Sequence, residues 1–122
     1  MLPKKFSILL VILLLGMALN ACSGSPAGDP LIAEGEKLFS AKCLSCHPTD
    51  PEQPRVGPDL VGLGARLQAS GKEAAAVLGE SIRQPGKVLS TGYQDLMPSA
   101  DVLGLNAEDI EALTAYLISL DR

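Results

Sequence analysis

Two thiols and an imidazole lie within five consecutive residues, Cys43-Leu44-Ser45-Cys46-His47. A cysteine pair at this spacing, with histidine directly after it, is the attachment signature of a covalently bound haem. The chemistry accounts for the spacing. Each thiol adds to one haem vinyl group, and the two intervening residues let the backbone turn between them. The following histidine then lies beneath the iron as an axial ligand. Other uses of the same residues fit less well. A structural zinc ion needs four ligands, and beyond Cys43, Cys46 and His47 there is only the distant Cys22. A thioredoxin-like redox pair expects a βαβ setting, and no strand pattern surrounds this one. A plain disulfide leaves His47 without a purpose.

The elements that must hold this segment read as helices joined by loops. Asp29-Pro30 is a helix start, an N-cap followed by proline in the first turn. The spacing predicts a helix from Pro30 to Lys42 with Leu31, Gly35, Leu38 and Phe39 on one face. Pro48 to Pro58 reads as a loop, and a short helical piece follows near Leu60 to Leu67. Lys72 to Gln84 is a further helix with Ala75, Val77, Leu78 and Ile82 turned mostly inward, stopped by Pro85-Gly86. Lys87 to Leu105 reads as loop. Asn106 opens the last helix with Asp109 three residues on, a capping-box pair. Its stripe is Ile110, Leu113, Tyr116, Leu117 and Leu120 at helical spacing. The expected architecture is a small all-α bundle.

Residues 1–21 stand apart from this domain. Lys4 and Lys5 precede an apolar run from Ile8 to Leu19, too short to span a bilayer comfortably, since a spanning helix takes about 20 apolar residues. A basic start, an apolar centre and a small residue before a cleavage point make an export signal. Leu19-Asn20-Ala21-Cys22 resembles the lipobox of bacterial lipoproteins, whose cysteine is lipidated and becomes the mature N-terminus. On that reading Cys22 is a lipid anchor, residues 22–29 are a flexible linker, and residues 30–122 form the domain. The protein is then exported and held on the periplasmic or outer face of a bacterial membrane. The formal charge of −4 becomes −6 once Lys4 and Lys5 leave with the signal. Such acidity argues against nucleic acid as a partner. Two Phe, two Tyr and no Trp supply little aromatic bulk, a deficit that a large apolar cofactor would fill.

Gly35 and Phe39, eight and four residues before Cys43, the Val56-Gly57-Pro58-Asp59-Leu60 loop, and Leu113, Tyr116 and Leu117 together resemble class I monohaem cytochromes c, over essentially all of residues 30–122. The resemblance implies three to five helices packed around one covalent haem c, with the N- and C-terminal helices crossing at Gly35. It implies that the Pro58 carbonyl accepts the ring N–H of His47, fixing its tautomer and making the ligand more electron-rich. It also implies that Arg66 hydrogen-bonds a haem propionate. Tyr93 could supply a hydroxyl at that end of the pocket, where the family often has a tryptophan. The stretch from Ile82 to Leu120 is similar to cytochrome domains of bacterial respiratory complexes, including those fused to subunit II of haem–copper oxidases and monohaem lipoprotein subunits of quinol-oxidising complexes.

Two functions follow from different ligand sets. An electron carrier needs a six-coordinate haem, whereas a ligand sensor or weak peroxidase keeps the sixth position open. His47 is the only histidine of the chain, so no second imidazole can act on the distal side. Met1 and Met17 fall in the signal, which leaves Met97, in Leu96-Met97-Pro98 ahead of the last helix, where the family places its ligand. Methionine and histidine together are the electron-transfer ligand set. The expectation is electron transfer by a tethered, non-enzymatic carrier, either a shuttle or a subunit of a respiratory or photosynthetic complex. Its redox partners would be a quinol-oxidising complex, a terminal oxidase or other cytochromes.

Overall fold

A computed structural model describes residues 28–120. The expected export signal, Cys22 and most of the expected linker lie outside the described residues. Five α-helices follow one another: α1 Pro30–Lys42, α2 Leu63–Ala69, α3 Ala74–Arg83, α4 Ala100–Leu103 and α5 Ala107–Ser119, with a single 3-10 turn at Pro85–Lys87. No strand occurs among the described residues. The all-α fold expected from the sequence is the observed one.

Local chemistry sets several of the helix ends. At α1 the Asp29 carboxylate accepts from the Leu31 amide at 2.9 Å, and Pro30 occupies the first turn, where its missing N–H costs nothing. At α5 the Asn106 side chain accepts from Asp109 N at 2.8 Å while the Asp109 carboxylate accepts from Asn106 N at 3.0 Å. That reciprocal pair satisfies two amides that have no partner within the helix. The proline that stops α3 opens the 3-10 turn.

The α1–α5 crossing is the centre of the fold. Gly35 permits it: a Cβ there would lie 2.1 Å from the Ala112 carbonyl oxygen and 2.7 Å from Tyr116 Cβ. One turn along, Phe39 and Tyr116 meet with ring centroids 5.3 Å apart, tilted by 50°, within the favoured range for aromatic pairs. Phe39 and Leu113 are the most deeply buried large side chains, each 1% exposed. Leu78 and Ile82 from α3, Ala100 from α4, Leu105, and Ile110 and Leu117 from α5 complete the core. Burying each large apolar side chain contributes roughly 1.5–3 kcal/mol.

Three expectations shift. In α3 the buried residues are Ala74, Leu78, Gly79 and Ile82, and Ala75 is exposed. The short helix after the loop begins at Leu63. The stretch from Lys87 to Leu105 contains α4, four residues long and too short to show a helical period. Its end is fastened to α1, since Lys42 Nζ donates to the Leu103 carbonyl at 2.9 Å. A basic side chain on a last-turn carbonyl satisfies an acceptor the helix leaves open.

Candidate haem-binding site

The end of α1 delivers the two thiols. The amides of Cys43 and Leu44 both donate to the Phe39 carbonyl, at 2.8 and 2.9 Å, closing the helix directly behind the most buried ring of the core. The chain then turns sharply, with Cys46 N and His47 N both donating to the Cys43 carbonyl, at 3.1 and 2.9 Å. Cys43 packs against the core, Cys46 is exposed, and both are free thiols. Burial pushes the Cys43 thiol up, with Lys42 pulling it down and Cys46 adding to the rise. The rise keeps it protonated at neutral pH.

His47 is 8% exposed, and its Nδ1 lies 2.8 Å from the Pro58 carbonyl oxygen. A carbonyl only accepts, so Nδ1 carries a proton, and in the neutral tautomer that this bond selects Nε2 keeps its lone pair. The bond that the family resemblance implied is therefore present, and it leaves the other ring nitrogen free to bind a metal. Gly57 makes it possible. A Cβ at Gly57 would fall 2.3 Å from His47 Cε1 and 2.7 Å from both ring nitrogens, so the backbone lies flat against the imidazole. Gly57 N also donates to the Cys46 carbonyl at 2.9 Å, sewing the loop to the thiol segment. In the sequence only its place before Pro58, within the Val56-Gly57-Pro58-Asp59-Leu60 loop, points to this glycine.

The other candidates are placed as follows. Met97 is half-buried against the same core that Cys43 touches. It lines an open cleft of about 580 Å³ together with residues 83–87, Asp95 and Ser99; His47 is not among that cleft's lining. Arg66 is exposed, its guanidinium donating to the Val61 carbonyl at 2.9 Å and, more weakly, towards the Asp59 carbonyl at 3.4 Å. Tyr93 is exposed. Val88, Leu89, Tyr93 and Leu96 form an exposed apolar run just ahead of Met97. Among the described residues no three His, Cys, Asp or Glu side chains gather as a metal set.

This donor set fits haem c. Two unpaired thiols one turn apart, an imidazole with its tautomer fixed, a thioether on the same core and adjacent apolar surface match what a flat, apolar, iron-bearing ring requires.

Comparison with known proteins agrees. A family model described as Cytochrome c matches residues 32–121. The chain is 34% identical over 103 residues to cytochrome c oxidase subunit 2 of Bacillus sp. (strain PS3), a match covering 75% of this chain and 27% of that protein. It is 39% identical over 67 residues to cytochrome c of Chlamydomonas reinhardtii, covering 47% of this chain and 58% of the relative. The chain thus spans about a quarter of the first relative and under two thirds of the second. Its helical fold, its thiol–imidazole segment and these matches agree: the chain belongs to the cytochrome c family, whose members bind one covalent haem c.

Proposed function

We propose that the protein is a membrane-tethered electron carrier, with Cys43 and Cys46 bound to haem, His47 and Met97 as axial ligands, and Cys22 as lipid anchor. One observation carries it: the buried His47 ring, its Nδ1 on the Pro58 carbonyl, beside two free thiols. When bound, haem supplies an iron that passes between ferric and ferrous states. The residues of the chain do the rest. Cys43 and Cys46 would hold the ring at the end of α1, in the turn that follows the buried Phe39. Pro58 fixes the His47 tautomer and raises its basicity, which favours ferric iron. Met97, next to a proline that restricts it to extended backbone, offers a soft thioether that favours ferrous iron and a raised potential.

Among the described residues no helix is long and apolar enough to cross a membrane; attachment is assigned to Cys22 on the lipobox-like segment Leu19-Asn20-Ala21-Cys22. Arg66 is proposed to face a propionate while its other N–H groups hold the Val61 loop. The match to an oxidase subunit supports a role beside a respiratory complex, with a quinol-oxidising complex, a terminal oxidase or another cytochrome as partner.

The test is Met97→Ala. The oxidised wild type should show the weak long-wavelength absorption of an iron–thioether bond. The variant should lose it, fall in potential and bind carbon monoxide readily when reduced. A wild type without that band, or a variant with unchanged potential and ligand binding, would return the protein to the sensor or peroxidase reading.

A further inference from the structure

We propose that Arg55 is a positioning residue: its guanidinium ties Pro51 to Asp59 and so holds the Pro58 carbonyl on His47 Nδ1. Three contacts define the tie. Arg55 Nη2 donates to the Pro51 carbonyl at 3.2 Å, and Nη1 lies 3.3 Å from Asp59 Oδ2. The second carboxylate oxygen of Asp59 accepts from Val61 N at 3.0 Å. One side chain therefore spans the loop from Pro51 to Asp59, and its far anchor is itself locked to the next segment. Pro58 lies inside this ring, directly before Asp59. The other side of Pro58 is fastened through Gly57 N on the Cys46 carbonyl.

Stability alone does not explain the arrangement. The Arg55 side chain is 22% exposed and that of Asp59 45%, and a partly solvated ion pair adds little to folding. Arg55 Nε is buried without a hydrogen-bond partner, which costs free energy. A surface arginine would avoid that cost by swinging into water. Holding it in place makes sense if the product is geometry, because the loop has no helix or strand to fix its one functional carbonyl. A planar guanidinium that reaches two acceptors in a fixed fork suits that task, and a lysine does not.

The inference rests on His47 being an axial ligand, and its test reads the ligand set separately. In the holoprotein, Arg55→Gln combined with Asp59→Asn removes the tie without changing net charge, and the new amide oxygen can still accept from Val61 N. With the Pro58 carbonyl less firmly placed, the imidazole donates less to iron and the reduction potential rises. By NMR, the His47 Nδ1 proton and the Gly57 amide exchange with solvent about fivefold faster, the factor set by the net worth of one hydrogen bond. The iron–thioether band stays. If potential and exchange equal those of the wild type, the proposal is wrong. It is equally wrong if the protein melts lower with an unmoved potential, since that describes a merely structural strut, or if the thioether band disappears. Should the double variant yield no holoprotein, Arg55→Lys decides. It keeps the charge but not the fork, and a potential and exchange rate matching the wild type overturn the proposal. An absent thioether band in the wild type would instead point to a fault in the ligand assignment.

Discussion

Gly57→Ala probes the contact between the loop and the axial imidazole. The added Cβ would lie 2.3 Å from His47 Cε1, whereas non-bonded carbons settle at about 3.5 Å or more. The two groups must therefore part by about 1.2 Å, the difference between those separations. Neither yields easily. The ring is packed at 8% exposure, and the loop is fastened by Gly57 N on the Cys46 carbonyl. If the loop moves, the 2.8 Å bond from His47 Nδ1 to the Pro58 carbonyl stretches beyond hydrogen-bonding range. Overpacking of this kind costs about 1–3 kcal/mol and the lost bond about 1 more. For a domain of this size, roughly 2–4 kcal/mol lowers the melting temperature by about 8–30 °C. Thermal melting of the purified holoprotein by circular dichroism reads that loss, and a redox titration should show a raised potential. A variant that melts within about 2 °C of the wild type, at the same potential, would refute the account of Gly57 as the cradle of the imidazole.

Other expectations are simpler to check. A denaturing gel stained for haem peroxidase activity should light up at the protein's band, because thioether links survive denaturation. Cys43→Ala or Cys46→Ala should leave at most one link and a lower yield of holoprotein. On the lipid-anchor proposal, wild-type protein fractionates with membranes. A variant starting at Ser23 behind a conventional export signal should be soluble with an unchanged haem spectrum, and soluble wild-type protein would contradict the anchor. Burial, followed by the charge of Glu36, raises the Tyr116 phenol above its ordinary value, so the fold favours the protonated ring. The contribution is complete below the ordinary tyrosine pKa of about 10 and is lost as pH rises through the folded value. Tyr116→Phe should therefore weaken the alkaline loss of stability measured by denaturant titration, and an unchanged pH profile would show that the phenol does not take part.

Chain order makes the haem segment legible, because Cys43, Cys46 and His47 are neighbours and their geometry is local. It determined the α1 bounds and the α5 start for the same reason: Asp29-Pro30 and Asn106 with Asp109 cap their helices through contacts a few residues long. Gly35 was legible only through family resemblance, and the structure supplies the cause in the Ala112 carbonyl. Tertiary structure alone decided the rest. That Ala74 rather than Ala75 faces inward depends on which way α3 is rotated against α5, and small residues carry too weak a pattern to show it. The α4 helix is four residues long, and its bond to Lys42 crosses sixty-one positions of chain. The roles of Gly57 and Arg55 arise where an irregular loop folds back on the thiol segment. A loop without periodicity leaves no pattern to read, so only its hydrogen bonds reveal what each residue holds.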